Sequence, residues 1–307
     1  MTDPDRRIAA VVVTFNRLGL LQRLLPRLAE TAELDEILVV DNASSDGTAE
    51  WLRTQVETSP VPVHVRRLQQ NTGGAGGFHD GLAWAVEREA DLVWLMDDDG
   101  LPEPGCLELL LEHDGGLDFW GPVVVDEADP ERLVFPIRLP GGTRVVHAMA
   151  DVRRAAVDGV IRDIVIPFNG VLVTRDLVQR IGLPRAEFFI WGDDHEYRLR
   201  AERAGARIAT VVGARVRHPS VGALGTPMAF GRTTYNDTPS DLKHYCMARN
   251  NLLNLEEYGG RLHAAAFVAK TFWFYTLTRR DPARIRLSLQ AWRDARRGDF
   301  TGHRRFL

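Results

Sequence analysis

The chain has 307 residues, 45% hydrophobic and 26% charged, enough for one large domain or two modest ones of ordinary soluble composition. Its net charge of −4 is unevenly spread: from Arg261 to Leu307 eleven Lys or Arg face three Asp or Glu, so a basic end follows an acidic body. Cys106 and Cys246 stand far apart, which excludes a disulfide framework or a metal or redox pair and makes a reducing cytosol the expected compartment.

Residues 7 to 14, "RIAAVVVT", read as a buried strand that starts almost at the N-terminus, so no signal peptide is expected. Leu18, Leu21, Leu25 and Leu28 have helical spacing, with Pro26 as a kink or boundary. "DEILVVDNASSDGT" gives a second strand and a polar turn; "TAEWLRTQVE" is a helix and "PVHVRRLQ" a third strand. A helix follows the glycine cluster in "AGGFHDGLAWAVERE", and "ADLVWLMDDD" is a fourth strand. The β-α-β-α-β-α-β order predicts an α/β fold, with a parallel sheet covered by helices on both faces. Beyond residue 100, "FWGPVVVD" and "LVFPIRL" read as strands, and "VIRDIVIPFNGVLVTRDLVQRIGL" as two strands and a short helix. "GDDHEYRLRAERAGA" reads as a helix with Tyr197 and Leu199 inward and arginines outward, then "RIATVVGARVRHP" as a strand ending at His218. From Asp241 the chain reads mainly helical.

Ligands of such sheets sit at the carboxyl ends of the strands, here "TFNR", "DNASSDG", "NTGGAGGF" and "DDD". Asp97, Asp98 and Asp99 have no basic neighbour in sequence, so they need a divalent cation or the water of a solvated turn. Alternation along an extended strand end places Asp97 and Asp99 on one side. Asp41 can accept hydrogen bonds from a nucleoside or start a turn, and Asp46 has a structural turn role. The glycines of "NTGGAGGF" either cradle an anionic ligand as a loop or are simply flexible; neither a G-x-G-x-x-G nor a G-K-S/T pattern is present. Asp193, Asp194 and Glu196 open a helix, where the dipole favours acids, and a carboxylate there can also act as a general base. His218 is either structural or a partner to the aspartates in a metal site.

In order along the chain, "VVVTFNR", "VVDNASSDGT", "NTGGAGGF", "LMDDDG", "FNGVLVTRD", "FIWGDDHEYRLRAERAG" and "RVRHP" resemble the family 2 inverting glycosyltransferases of the GT-A fold, over roughly residues 8 to 220. The resemblance implies a Rossmann-like, mostly parallel central sheet, with residues 1 to 230 as the nucleotide-sugar-binding and catalytic domain and 231 to 307 as a helical extension. It implies that Thr14, Asn16, Arg17, Asp41, Asn71, Gly73, Gly74, Gly76, Gly77, Asp97 and Asp98 serve the nucleotide-sugar donor. Asp97, Asp99 and His218 would hold Mn²⁺ or Mg²⁺, and Asp194 would be the general base. Asp193, Trp191 and Arg249 would meet the acceptor, with Trp191 either stacking on a sugar or filling the core. Arg249, in "HYCMARNNLL", would face a lipid diphosphate or simply solvent.

Within the family, the "GGAGGF" stretch, the tryptophan before the paired aspartates and the length are similar to actinobacterial galactofuranosyltransferases acting on a rhamnose-bearing polyprenyl-diphosphate lipid. That implies UDP-galactofuranose as donor and a place in cell-wall synthesis. Rhamnosyltransferases using dTDP-rhamnose are the rival, and a non-catalytic nucleotide-sugar-binding module the alternative of another class. "TFNRLGL" lacks the G-x-G-T-R-like loop of nucleotidyltransferases, and no nucleic-acid motif accompanies the basic tail. "AAAFVAKTFWFYTL" is shorter than the ~20 residues of a span. It reads either as a helix on an anionic membrane surface, with Phe272 and Trp273 at the interface, or as a packed helix with a basic outer face.

Overall fold

The computed structural model describes residues 6–222, 225–231 and 233–307. The chain divides into two compact units: one runs to Pro184 and resumes over Tyr197–Ser220, and the other comprises Arg185–Glu196 and Val221–Leu307.

The first unit begins with β1 (Ile8–Thr14), α1 (Leu18–Ala29), β2 (Glu36–Asp41), α2 (Thr48–Thr58), β3 (Val63–Arg67), α3 (Gly73–Glu87) and β4 (Leu92–Asp97). Strands β3, β2, β1 and β4 lie side by side and parallel, as their alternation with helices predicts. Every residue of β1 is buried, because both faces of the sheet are covered. Ile8, Ala10 and Val12 pack with Leu21, Leu24, Leu25 and Leu28 of α1; Ala9, Val11 and Val13 pack with Phe78, Leu82 and Ala85 of α3. Pro26 does not end α1 but sits in its last turn, three residues before Ala29.

Then come β5 (Leu101–Pro102), α4 (Cys106–Leu111), β6 (Phe119–Asp126), β7 (Arg132–Arg138), β8 (Val145–Ala148), α5 (Met149–Ala155), β9 (Val160–Arg162), β10 (Asn169–Thr174) and α6 (Arg175–Ile181). α7 (Asp193–Arg203) precedes β11 (Ile208–His218). Here the sheet becomes mixed. β10 runs antiparallel between β4 and β6, while β11 lies parallel to β6. In α7 Tyr197 is buried as expected, but Leu199 is only half-buried. Its arginines do not all face outward: Arg198 and Arg200 are half-buried, and Arg200 donates to the carbonyls of Ile181 and Leu183.

The second unit contains β12 (Thr226–Met228), β13 (Thr233–Tyr235), α8 (Asp241–Asn254), α9 (Arg261–Trp273) and α10 (Pro282–Arg297). Ser240 caps α8 through the N–H of Lys243, and Asp281 caps α10 through the N–H groups of Ala283 and Arg284, with Pro282 in the first turn. Tyr245, Ala248 and Leu252 of α8 form a core with Ala291, Trp292 and Ala295 of α10 and with Phe189.

Candidate functional site

Parallel register sets one row of polar ends. Thr14 of β1 stands opposite Asp41 of β2, Asp41 opposite Arg67 of β3, and Val13 opposite Asp97 of β4. The strand stops at Asp97 and the chain turns, so the alternation expected to pair Asp97 with Asp99 does not extend that far. Instead Asp98 and Asp99 share a cation. Arg17, just beyond β1, places its guanidinium 3.1 Å from Asp98 and 2.6 Å from Asp99. The buried hydroxyl of Thr14 donates to the second oxygen of Asp98 at 2.7 Å. The other oxygen of Asp99 lies 3.2 Å from Nε2 of His218, at the end of β11.

The two carboxylates are driven apart electrostatically. Burial pushes the Asp98 carboxyl above the usual range, and neither Thr14 nor Arg17 fully offsets it. Burial also opposes ionisation of Asp99, but His218 and Arg17 outweigh it and hold that carboxyl below the usual range. His218 mirrors this: burial disfavours its cation, yet Asp99 raises its pKa. The positive partners of the aspartates are therefore Arg17 and His218, both remote in sequence.

A divalent cation fits this donor set. His218 Nδ1 lies 2.7 Å from the carbonyl of Pro219, which must accept its proton, so the ring is fixed with Nε2 turned to the Asp99 carboxylate. The Asp99 carboxylate is the donor type that Mg²⁺ or Mn²⁺ favours, and the imidazole of His218 would add a softer nitrogen donor beside it. Among the described residues, no three His, Cys, Asp or Glu side chains are gathered as a metal-holding group. Of the expected set of Asp97, Asp99 and His218, the structure joins Asp99 and His218.

Asp41 is fully buried; one oxygen accepts from the N–H of Ser44 at 2.8 Å, and the other has no hydrogen-bond partner, with Arg67 Nε 3.5 Å away. The turn after β2 is knitted to the one after β1. Asn16, at φ 53°, accepts from the N–H of Ser45 at 2.7 Å, while Asp46 accepts from Leu18 and Thr48, the structural role expected of it. The glycine cluster departs from expectation, because Gly73, Gly74, Gly76 and Gly77 form the first turns of α3 rather than a loop. Asn71 accepts from the N–H of Gly73, and Asn42 binds Thr72 and the carbonyl of Gly73, tying the start of α3 to the end of β2. The glycines serve close packing: a Cβ on Gly77 would come within 2.4 Å of Val13 Cγ1, and one on Gly81 within 2.5 Å of Val11 Cγ1.

The segment that leads into α7, and the acids of its first turn, belong to the second unit. Phe189, Trp191 and Gly192 hold positive φ of 67°, 70° and 88°. For bulky residues this is uncommon and costs about 1–3 kcal/mol each unless surroundings enforce it. The enforcing groups come from α8. The side-chain amide of Asn250 lies 3.0, 3.1 and 2.8 Å from the carbonyls of Phe188, Ile190 and Trp191, and that of Asn254 is 2.8 Å from the carbonyl of Gly192. Arg249 donates to the carbonyls of Glu187, Phe188 and Phe300. It is fully buried, so the sequence expectation that it meets an acceptor diphosphate is corrected: its donors go to backbone carbonyls and to the side-chain oxygen of Asn250. Asn254 and Tyr258, whose hydroxyl is 2.6 Å from Glu196, were not singled out from sequence. The stretch "ARNNLLN" was the only signal for Asn254, and Tyr258 had none.

Trp191 is 37% exposed, which removes the core alternative for it. Asp194 is half-buried and accepts from the N–H of His195 at 2.7 Å. Asp193 is buried, and burial together with the charge of Asp194 pushes its carboxyl up to about 8. The pair thus sets a buried carboxyl that favours its protonated form beside a half-buried one.

Residues 9–128 match the family model "Glycosyl transferase family 2". The galactofuranosyltransferase GlfT1 of Mycolicibacterium smegmatis is 31% identical over 298 residues, covering 95% of this chain and 97% of that protein. GlfT1 of Mycobacterium tuberculosis (strain CDC 1551 / Oshkosh) is 34% identical over 282 residues, 90% of each. Among solved structures, GalNAc-T7 with UDP, GalNAc and Mn²⁺ superposes with a TM-score of 0.59 at 16% identity, over 88% of this chain and 51% of that one. The mannosyltransferase PcManGT of Pyrobaculum calidifontis, in complex with GDP-Man and Mn²⁺, gives 0.53 at 18% identity, over 94% and 75%.

Proposed function

Since the chain belongs to glycosyl transferase family 2 and is a GT-A glycosyltransferase, we propose that it moves galactofuranose from UDP-galactofuranose onto a hydroxyl of a rhamnose-bearing polyprenyl-diphosphate glycolipid. The setting proposed is cell-wall polysaccharide synthesis on the cytoplasmic face of the membrane. The observation that carries the sugar is the near full-length similarity to galactofuranosyltransferases, 97% of one relative's length, which takes in the acidic stretch and the C-terminal helices as well as the strand ends. No helix among the described residues is long and apolar enough to cross a membrane.

In this reading Asp41 receives the nucleoside with the oxygen that has no hydrogen-bond partner, and Asp97 and Thr14 border the ribose. Asn16 shapes the turn beside them, Asn71 and Gly73 fix the start of α3 together, and the N–H groups of its first turn, at Gly74, Ala75 and Gly76 before Gly77, face the diphosphate as a helix N-terminus does. Arg17, half-exposed and held by Asp98 and Asp99, turns its remaining donors to the same phosphates. Asp99 and His218 would hold Mn²⁺ or Mg²⁺, which when bound stabilises negative charge on the leaving diphosphate. Asp194 takes the proton of the acceptor hydroxyl as that oxygen attacks the anomeric carbon from the face opposite the diphosphate. One displacement inverts the centre and leaves no covalent enzyme intermediate. Asp193, which keeps its own proton, donates a hydrogen bond to the acceptor, and Trp191 lies against its sugar ring.

The test is nucleotide release and product formation across a donor panel that includes UDP-galactofuranose and dTDP-rhamnose, with Mn²⁺ and a synthetic rhamnose-bearing lipid. Product from UDP-galactofuranose alone is expected; product from dTDP-rhamnose alone would overturn the sugar. Asp194→Asn should lower the transfer rate about 10²–10⁴-fold while donor affinity, read by calorimetry, stays at the wild-type value. Transfer at the wild-type rate would remove Asp194 as the base.

A further inference from the structure

α9 turns the wrong face to solvent for a packed helix. Ala264 and Thr271 point inward, as do Phe274 and Tyr275 of the π turn that continues it (Phe274–Thr278). Outward stand Leu262, Ala265, Ala266, Ala269, Phe272, Trp273 and Leu277, at helical spacing on one stripe. Leu262 is 86% exposed, Trp273 48% and Leu277 57%. The sequence alternative of a basic outer face is thereby corrected: α9 has its one arginine, Arg261, at its start, Lys270 is half-buried, and Arg279 and Arg280 come only after the π turn.

α10 lies alongside, with the ring of Trp292 5.7 Å from that of Phe272 and 6.4 Å from that of Phe267. Its outer face carries Arg286, Arg293, Arg296 and Arg297, all exposed, around the exposed Leu289. None of the four arginines has a hydrogen-bonded or ion-paired partner among the described residues. Asp294, on the same helix, is already held by the Tyr245 hydroxyl at 2.6 Å. An exposed apolar stripe on α9 and a set of exposed, unpaired arginines on α10 thus lie on helices joined by the Phe272–Trp292 contact.

We propose that the outer faces of α9 and α10 are a docking surface for an anionic lipid bilayer. Trp273, Phe272 and Leu277 enter the boundary between headgroups and acyl chains, and the arginines of α10 meet lipid phosphates. Charge selects this occupant. A second copy of the chain meeting the same face would bring arginines against arginines, whereas anionic headgroups neutralise them. The proposal deepens the lipid-acceptor reading, but its residues take no part in the transfer chemistry, so the two can fail separately.

Flotation of the full chain with vesicles tests it. Wild type should bind vesicles of phosphatidylglycerol and phosphatidylcholine at least about tenfold more tightly than phosphatidylcholine alone, and salt should reduce that binding. Arg293→Gln with Arg297→Gln should lower it about tenfold. Trp273→Ser with Leu277→Ser should lower it comparably while turnover of a short, water-soluble acceptor stays unchanged, which shows the fold intact. Equal binding of wild type and both double variants would overturn the proposal. So would a dimer in sedimentation equilibrium that Trp273→Ser dissolves, which would assign the face to a second copy. Vesicle binding by a protein that transfers no sugar in the donor panel would sustain this inference and sink only the substrate reading.

Discussion

Asp193 keeps its proton where an exposed aspartate has lost it, because burial and the neighbouring Asp194 charge both disfavour the anion. In the unfolded chain the same carboxyl ionises at its ordinary value of 3.8, so the folded state binds the extra proton as pH rises to about 8. The sign is thus a loss of stability across that window, fully absent below it. Asp193→Asn removes the ionisable group; urea denaturation should show a flatter pH profile and a gain of about 1–3 kcal/mol at pH 7. A profile identical to that of wild type would refute the assignment. Thr14→Val should cost about 1–3 kcal/mol because it strips a hydrogen bond from the buried Asp98, whereas Thr14→Ser should keep most of it. At this scale the sequence displayed the aspartates but not their partner. Arg17 lies 82 residues before Asp99, and only the parallel pairing of β1 with β4 brings the two strand ends together.

Helix α3 is an element whose sequence argues against it. Glycine costs about 1 kcal/mol per helical position relative to alanine, so "GGAGG" reads as a loop by propensity. Contact with the sheet reverses that preference, since no side chain fits between α3 and β1 at Gly77. Gly77→Ala should therefore destabilise by about 1–3 kcal/mol despite its better propensity, and Val13→Ala in the same chain should restore part of the loss. A thermal melt in which Gly77→Ala is stabilising would contradict the close packing. α8 presents the reverse case: its helical pattern was legible, but the use of its polar residues was not. Side-chain amides that hold another segment's carbonyls follow no period along the sequence. Asn250→Ala should cost about 2–3 kcal/mol of stability and lower kcat more than it raises KM, because it frees the backbone leading to Asp194 rather than a group that binds substrate.

Across the whole molecule, the β-α alternation up to β4 and the helical C-terminus were readable from hydrophobic period alone. The antiparallel insertion of β10 was not, since a short apolar strand carries no mark of its direction. Nor did the sequence tell that Arg185–Glu196 packs with Val221–Leu307. The same packing bears on truncation. Removing residues 279 to 307 would take away Ala291, Trp292 and Ala295 from the core of the second unit, and Asp294 from Tyr245. The expected result is aggregation and loss of near-ultraviolet circular dichroism, so that such a deletion reports on folding. A soluble, natively folded truncation would show α10 to be dispensable.

The backbone from Glu187 to Gly192 is held by Asn250 and Asn254, and through Arg249 it is joined to the carbonyl of Phe300. A ribosome delivers these residues in the opposite order to the one their geometry needs. Asp194 emerges early, into a segment that nothing yet made can bend into shape. A nascent chain stalled before Asp241 should be cut readily by protease between Glu187 and Gly192, while the released protein should resist. The chemistry of this chain is in that sense switched on by its own completion.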